Sequence, residues 1–307
     1  IAERLNISLF ELQSNVISYK IAGGKNFIIN PRLPIKITPV FDMILAHNIS
    51  DGTVIRPGNK RLPYFGYRQF DETYKKLYVE KLNNVFGNIE FAKSYIQKST
   101  RPYCPPVISS LFFKCYNLGE RSFLSRTARI PPQIFFKGKD NLLAVLIAFV
   151  IDEGNIDSTH IFIKLRNMGL VRDLKKICDI LGYKSKILLK KEKSRDYGYL
   201  YLLREGMKGF YRDYLSLKKD YSVIDMGRKG KAIEQSFNIY SRKTRKTQGN
   251  REIIFRILET ETLSVNQLAR RLNMTRQGIR YHVHKLINKD KIRIVNKSNP
   301  NWIYSAK

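Results

Sequence analysis

The sequence contains few residues of several kinds, and each shortage argues against a class of protein. It has three cysteines, Cys104, Cys115 and Cys178, and no two of them are spaced as CxxC. An odd set without that spacing favours free thiols in a reducing compartment over a disulfide framework. No GxxxxGK[ST] segment occurs, and the basic GRKGKA stretch at 227–232 is predicted to be a loop that does not cradle phosphate.

Long apolar segments are also missing. The most hydrophobic segment, residues 142–151, has ten apolar residues, whereas a membrane-spanning helix needs about 20. The first residues, IAERLN, are polar and do not have the pattern of a secretion signal. We therefore expect a buried helix at 142–151 and a protein without a membrane partner.

Acidic residues are scarce relative to basic ones. The 307 residues include 56 lysines and arginines against 26 aspartates and glutamates, which gives a formal net charge of +30. A field this positive makes nucleic acid the leading partner. Because 43% of the residues are hydrophobic, the charge belongs to folded domains and not to a disordered basic tail. We expect a cytoplasmic, nucleoid-associated protein.

Residues 251–307 have the periodicity of three short helices followed by two strands. Ser264 and Thr275 can cap the second and third helices, and IRIV and WIYS flank a polar turn. This pattern resembles a winged helix-turn-helix domain, with a dimerising helical bundle as the alternative. The resemblance implies that the third helix enters the DNA major groove with four outward side chains: Arg276, Gln277, Arg280 and Tyr281.

The beginning of the chain repeats part of this pattern. IAERLNIS at 1–8 is similar to LARRLNMT at 268–275, and Leu12 and Val16 fall where Ile279 and Val283 fall. This similarity predicts a partial helix-turn-helix over residues 1–20, whose first helix would lie upstream.

Two acids stand at the ends of similar helices in the middle of the chain. FDMILAHNISDGTV and LAVLIAFVIDEGNI share a helical run, an acid, a glycine and a strand-like segment, and Asp51 and Glu153 are 102 residues apart. A second predicted helix follows each copy and stops at Gly87 or Gly182, as a left-handed C-cap would require. The chain is therefore predicted to contain an internal repeat, with strands over 105–117 in the first copy.

This organisation resembles the LAGLIDADG homing endonuclease family. ILAHNISDG at 44–52 and LIAFVIDEG at 146–154 align with its nine-residue motif. The resemblance implies an α+β fold with two pseudo-symmetric αββαββα repeats that form a saddle on DNA. The predicted domains are the repeats at 37–136 and 137–237, a flexible basic linker at 238–250 and the winged domain at 251–307.

The position of the two acids predicts a metal site. A carboxylate at a helix C-terminus is unfavourable by about 0.3–1 kcal/mol, because that end already carries partial negative charge. Small residues such as Ala46 and Ala148 would let the two helices approach closely and bring Asp51 and Glu153 together. A divalent cation would offset their repulsion, and Mg²⁺ or Mn²⁺ suits oxygen ligands.

The family resemblance further implies hydrolysis of double-stranded DNA by a monomer, since both repeats lie in one chain. Asp51 and Glu153 would be catalytic metal ligands, and Lys114, with Arg204 as its counterpart, would be the lysine that the family places near the acids. Phosphate contacts are expected from basic residues of the predicted strands: Lys60, Arg61, Arg68, Lys164, Arg166, Lys186, Lys190 and Lys191.

Two departures from the family pattern leave an alternative open. His47 and Asn48 occupy positions of the first motif helix that are usually apolar, and the second acid is Glu instead of Asp. The alternative is a DNA-binding transcription regulator derived from the same fold that has lost catalysis. Retention of both acids favours the nuclease, and an intein is disfavoured because Ile1 is neither Cys nor Ser.

Overall fold

The computed structural model describes residues 2–20, 27–55, 64–89, 104–192, 195–241, 247–296 and 302–306. These residues form two compact units, Ile1–Lys231 and Ala232–Lys307, that combine helices with antiparallel sheets. The predicted α+β class is confirmed. Within the described ranges, no helix is both long and apolar enough to cross a bilayer.

The elements of the first unit follow the predicted order in most places. The helices are α1 Ala2–Leu5, α2 Leu9–Ser14, α3 Pro39–Ser50, α4 Glu72–Phe86, α5 Pro106–Cys115, α6 Lys139–Glu153, α7 Met168–Ile180 and α8 Arg204–Asp220. The strands are β1 Ser18–Tyr19, β2 Ile28–Ile29, β3 Gly52–Ile55, β4 Tyr64–Tyr67, β5 Asn88–Ile89, β6 Gly154–Ile156, β7 His160–Leu165, β8 Ser185–Glu192 and β9 Arg195–Leu203. Helix α9, Arg228–Ser241, starts in this unit.

The core of the first unit is the pair of helices α3 and α6, which pack directly against each other. Residues 40–49 of α3 and 142–151 of α6 are buried on every side. A helix that is apolar all round belongs in a protein interior, which explains the uninterrupted hydrophobic run at 142–151. The small side chains of Ala46, Ala144 and Ala148 are fully buried, as close helix packing requires.

Each core helix leads straight into a strand through a glycine. A Cβ atom at Gly52 would lie 2.1 Å from the Asn48 carbonyl oxygen, and one at Gly154 would lie 2.5 Å from the Val150 carbonyl oxygen. Because a side chain would collide with the last helical turn, only glycine permits this transition. The acid before each glycine is thereby held at the helix end.

The second repeat has the complete predicted order of elements. Its sheet is antiparallel in the order β6–β7–β9–β8, with α7 between β7 and β8 and with α8 after β9. The first repeat has α3, β3, β4 and α4 in the matching order. Gly87 and Gly182, which follow α4 and α7, both have positive φ, but Gly87, with φ 103° and ψ 177°, lies outside the left-handed helical region that the C-cap prediction named.

The strand prediction over residues 105–117 was wrong, because the segment forms helix α5. Pro105 and Pro106 stand at its start, where proline's fixed φ and missing N–H are favourable. Ile108 and Phe112, four residues apart, are buried on one face. The apolar residues of this segment are compatible with the period of a helix and with that of a strand. The two prolines were the signal for a helix.

A buried carboxylate joins the beginnings of the two core helices. Asp42 in the first turn of α3 accepts hydrogen bonds from Lys137 Nζ at 2.8 and 2.9 Å and from Asn141 Nδ2 at 2.7 Å. The Tyr116 hydroxyl donates to the same carboxylate. Since Asn141 belongs to α6, these bonds fix the register of one core helix on the other.

The second unit is a winged helix-turn-helix. Its helices α10 Thr247–Thr260, α11 Val265–Leu272 and α12 Arg276–Ile287 surround an apolar core that includes Ile254, Leu268, Val283 and Tyr304. Its strands, β10 Leu263–Ser264, β11 Ile292–Asn296 and β12 Ile303–Ala306, pair in the order β10–β12–β11. Ser264 and Thr275 cap α11 and α12, as the sequence predicts.

Much of the segment predicted as a flexible linker is helical. Of residues 238–250, the first four belong to α9 and the last four to α10, while 242–246 lie outside the described residues. Helix formation is cooperative, so α9 extends past its buried Ile233 and Ser236 into the polar residues. The absence of an apolar period was therefore a poor guide to the end of α9.

The first residues of the chain have a local geometry like that of the C-terminal helix-turn-helix. Asn6 between α1 and α2 has a φ of 51°, and Asn273 between α11 and α12 has a φ of 56°. Ser8 caps α2 by accepting a hydrogen bond from the Glu11 amide at 3.0 Å. Helix α2 ends at Ser14 and is followed by β1, so the partial domain at 1–20 stays a prediction.

Replacing Asp42 with alanine is expected to destabilise the first unit by about 3–5 kcal/mol, because Lys137 loses its buried counter-ion. Urea unfolding of the full chain measures the change. Asp196→Ala, which removes an exposed carboxylate from β9, should stay within about 0.5 kcal/mol. Equal effects of the two substitutions would contradict the buried tie between α3 and α6.

Candidate functional site

The C-terminal ends of α3 and α6 bring together the two acids that the sequence singles out. Asp51 is the C-cap residue of α3, and Glu153 is the last residue of α6. Burial first, and then the charges of Asp51 and Asp152, together raise the pKa of Glu153 to about 7. Burial, and then the charge of Asp152, raise the pKa of Asp51 to about 7. The site is therefore a partly buried cluster of negative charge.

A third acid, Asp152, lies beneath these two, and the sequence predicted no role for it. Its side chain is fully buried, and its carboxylate accepts hydrogen bonds from His47 Nδ1 at 2.9 Å and from the Tyr67 hydroxyl at 2.6 Å. The Ser50 hydroxyl donates to it as well. With both oxygens engaged by protein donors, Asp152 anchors the end of α6 to α3 and is not available as a ligand.

The polar residues that depart from the family pattern in α3 have partners. His47 donates to Asp152, and burial lowers the pKa of His47, so the ring is neutral near pH 7. Asn48 Nδ2 donates to the Ile44 carbonyl at 2.7 Å and to the Tyr78 hydroxyl at 2.8 Å. These bonds satisfy His47 Nδ1 and Asn48 Nδ2, while His47 Nε2 and Asn48 Oδ1 are buried without a hydrogen-bond partner among the residues that the structure describes. His47 and Asn48 therefore support the packing of the two helices.

A lysine lies at the site, but it is not the predicted one. Lys229, at the start of α9, donates from Nζ to the carbonyl oxygens of Val150, at 3.0 Å, and of Ile151. Burial lowers its pKa, while the charges of Asp152, Asp51 and Glu153 favour its protonated form. The predicted loop GRKGKA instead begins α9 directly after Gly227, whose φ is 53°.

Lys114 lies on helix α5 and not on a strand, and its side chain is exposed. Arg204, its proposed counterpart, begins α8 and donates to the Ser158 carbonyl at 2.9 Å. No described contact links Lys114 to the acids. The expectation that it stands beside them depended on the strand assignment that the structure replaces.

The donor set at the helix ends suits a divalent cation. Asp51 and Glu153 are both partly exposed, and burial together with neighbouring negative charge raises the pKa of each to about 7. In the part of the chain that the structure describes, no three His, Cys, Asp or Glu side chains form a metal cluster. Two carboxylates fit Mg²⁺, which keeps several waters and uses few protein ligands beside substrate phosphate.

The outward face of the second-repeat sheet carries cations on aromatic rings. The pairing register places Tyr199 and Tyr201 of β9 between residues of β7 and β8, and it pairs Tyr197 with Lys190 of β8. Lys164 Nζ lies 4.2 Å from the centre of the Tyr197 ring, and Lys190 Nζ lies 5.1 Å from that of Tyr199. The tyrosines were missed, although their alternate spacing in YGYLY predicts one shared face.

The other predicted basic residues have varied positions. Lys186 Nζ lies 5.9 Å from the Tyr201 ring centre, and Arg166 Nε donates to the Tyr197 hydroxyl at 3.3 Å, both on the outward face. Lys191 is exposed, but strand alternation assigns it to the opposite face from Lys190. Arg68 follows β4 and is exposed. Lys60 and Arg61 lie outside the described residues.

The outer face of α12 presents the side chains expected to contact DNA. Arg276, Gln277, Arg280 and Tyr281 are all exposed, and Tyr281 is 56% accessible. Ile279 and Val283 on the other face of the helix are buried in the domain core. The second unit therefore has an unobstructed polar helix face of the type that enters a major groove.

Comparison with known proteins gives one family and several structural likenesses. Residues 250–293 match the family described as "Winged helix-turn-helix DNA-binding", so the chain contains a domain of that type. No curated protein matches the sequence. The chain is similar in structure to a mesophilic variant of the homing endonuclease I-DmoI, at 15% identity and a TM-score of 0.41, over 57% of this chain and 89% of that one.

Two further likenesses cover different lengths of the chain. I-DmoI in complex with DNA and Mn is 15% identical over 56% of this chain and 94% of that one, with a TM-score of 0.37. Full-length DUF199/WhiA from Thermatoga maritima is 13% identical over 82% of this chain and 90% of that one, with a TM-score of 0.34.

The raised pKa values of Asp51 and Glu153 predict a loss of stability as pH rises. Between about pH 4 and pH 7 the folded chain keeps protons on these carboxyls that the unfolded chain has released, so unfolding becomes easier toward pH 7. Asp51→Asn with Glu153→Gln should remove at least about 2 kcal/mol of this loss. Urea unfolding at pH 5 and pH 8 in a chelating buffer measures it.

The matched control for that measurement is Asp196→Asn with Asp220→Asn, which neutralises two exposed carboxylates of the same unit. This control should retain the wild-type dependence on pH. If the double substitution at 51 and 153 left the dependence unchanged, the raised pKa values of the two acids would be refuted.

Proposed function

We propose that the protein is a site-specific endonuclease that hydrolyses phosphodiester bonds of double-stranded DNA at Asp51 and Glu153 with Mg²⁺ or Mn²⁺. The observation that carries the proposal is the pair of carboxylates held at the packed ends of α3 and α6, each with its pKa raised to about 7. In a protein that only binds DNA, such an arrangement would lower the affinity, because the acids would repel phosphate.

DNA binding by two surfaces supports the same proposal. The outward face of β7, β8 and β9 combines lysines with tyrosines, and α12 presents arginines on a winged helix-turn-helix. Phosphate contacts position a duplex, and side chains in the major groove select its sequence. We infer that the first unit holds the duplex at the acids while the second unit contributes sequence recognition, within a monomer associated with the nucleoid.

In the proposed reaction, the acids, the lysine and the buried carboxylate of the site would have separate roles. Asp51 and Glu153 would hold the cation, which when bound would polarise the scissile phosphate and lower the pKa of a water molecule. Lys229 stands beside both acids and would stabilise the negative charge that develops on the phosphate. Asp152, through His47, Ser50 and Tyr67, would keep the two ligands at a constant separation.

A DNA-binding regulator without cleavage is the second candidate, and Lys229 is the observation that favours it. Its ammonium group lies at the end of α6, among the same acids that would hold a cation. In a regulator, Lys229 would take over part of the cation's neutralising role. The two candidates differ in one property, which is cutting of the bound duplex.

Asp51→Asn with Glu153→Gln is expected to abolish Mg²⁺-dependent cutting and to leave DNA affinity unchanged or higher, because two negative charges near phosphate disappear. The substrate is a duplex selected by the full chain from a random library, and gel analysis measures cutting. Asp196→Asn with Glu205→Gln, two exposed acids, should cut at the wild-type rate. Cutting by the first double variant would reject the site, and failure of the wild type to cut would favour the regulator.

Arg276→Ala and Arg280→Ala are each expected to weaken binding of the selected duplex by about 1–3 kcal/mol, because arginine contacts to base edges are lost. Fluorescence anisotropy at fixed salt measures the affinity. Arg256→Ala, an exposed arginine on α10 of the same domain, should change it less than about twofold if only α12 enters the groove. Equal weakening by all three variants would indicate charge alone.

A further inference from the structure

In each repeat, the strand that pairs beside the acid carries one basic side chain, and the two basic side chains occupy equivalent positions. Gly52 pairs with Tyr67 in the first repeat, and Gly154 pairs with Ile163 in the second. The next residues, Arg68 and Lys164, are therefore opposite Asp51 and Glu153 respectively. The Arg68 amide donates to the Asp51 carbonyl at 2.9 Å, which agrees with this register.

These two equivalent basic side chains have different interaction partners. Arg68 is exposed, and its charge acts on Asp51, where it favours the ionised carboxylate. Lys164 forms an ion pair with Glu192 at 2.5 Å, and its ammonium lies on the Tyr197 ring. Glu192 also accepts a hydrogen bond from the Tyr199 hydroxyl. Lys164 is thus held on the sheet by a carboxylate, whereas no residue that the structure describes forms an ion pair with Arg68.

The strand positions before these cations differ as well. Tyr67 donates its hydroxyl to the buried Asp152, whereas the equivalent Ile163 has no polar group to donate. The Asp51 half of the site therefore has a hydrogen-bonded strand and an available arginine. The Glu153 half has an apolar strand residue and a lysine that is already paired.

This difference between the Asp51 half and the Glu153 half matters for a reaction in which negative charge develops on the phosphate. In each cut, a water oxygen forms a bond to phosphorus, and the bond from phosphorus to the 3′ oxygen breaks. The water gives its proton to solvent, and the 3′ oxygen takes one up, which leaves a 5′ phosphate and a 3′ hydroxyl. A cation that can reach the phosphate lowers the barrier, because it is attracted to the charge that develops there.

We propose that the enzyme cuts the two strands in separate steps, first at the Asp51 half and then at the Glu153 half, and that the Glu192 carboxylate slows the second step by holding Lys164. This inference rests on the proposed endonuclease function. In this scheme Arg68 speeds the first cut, and Glu192 slows the second cut. The product of the first cut is a nicked duplex.

A supercoiled plasmid carrying the selected duplex tests the inference directly. Full-length protein in excess is mixed with the plasmid and Mg²⁺, and the supercoiled, nicked and linear forms are followed with time. The wild type should accumulate the nicked form, and end-labelling of each strand should place the early cut on a single strand.

Glu192→Gln keeps an oxygen acceptor for the Tyr199 hydroxyl but removes the charge that holds Lys164. It should leave the first cut unchanged and speed the second by up to about fivefold, so that the nicked form is shorter-lived. Arg68→Gln should slow the first cut by about tenfold or more and leave the second unchanged. Both variants should still bind the duplex, as anisotropy can verify.

Glu205→Gln is the matched control, because it releases Lys184 from an exposed ion pair of the same unit without touching the sheet face. It should reproduce the wild-type time course. Direct conversion of supercoiled to linear plasmid by the wild type, or a nicked form whose lifetime Glu192→Gln does not shorten, would overturn this inference alone. Absence of any cutting by the wild type with Mg²⁺ or Mn²⁺ would overturn the proposed function and this inference together.

Discussion

The contact between helices α3 and α6 is the constraint on which the rest of the first unit depends. Each helix contributes one buried carboxylate that is bonded by the other. Asp42 accepts from Asn141 near the helix starts, and Asp152 accepts from His47 and Ser50 near the helix ends. A buried carboxylate without donors is strongly unfavourable, so sliding or rotation of either helix would be opposed at both ends. The separation of Asp51 and Glu153 follows from this fixed register.

The same contact makes the acid site costly to form. Burial, with the charge of Asp152 acting on both acids and that of Asp51 acting on Glu153, raises the pKa of Asp51 and Glu153 to about 7, so the folded chain resists ionising them. Lys229 offsets part of the repulsion by approaching the last carbonyls of α6. Carboxyl groups with raised pKa values and nearby negative charge are typical of functional sites, where the compensating positive charge comes from a ligand.

Sequence reasoning succeeded where a residue's role depends on its neighbours along the chain. The period of the apolar residues, the caps Ser264 and Thr275, and the acid followed by glycine are all local signals, and each element they predicted is present. It failed over 105–117, where a short apolar run fits either period. It also missed the role of Lys229, which approaches the acids only because the chain returns to the end of α6.

Periodicity and capping act over a few residues, so the amino-acid sequence was enough to predict the α+β class, the internal repeat and the winged helix-turn-helix. The distinction between the buried acid and the available acid came from packing, since Asp152 and Glu153 are adjacent in the chain but differ in partners. Packing alone also distinguished Arg68 from the paired Lys164. Electrostatic roles depend on distance in space, and neighbours in space are set by packing, not by order in the chain.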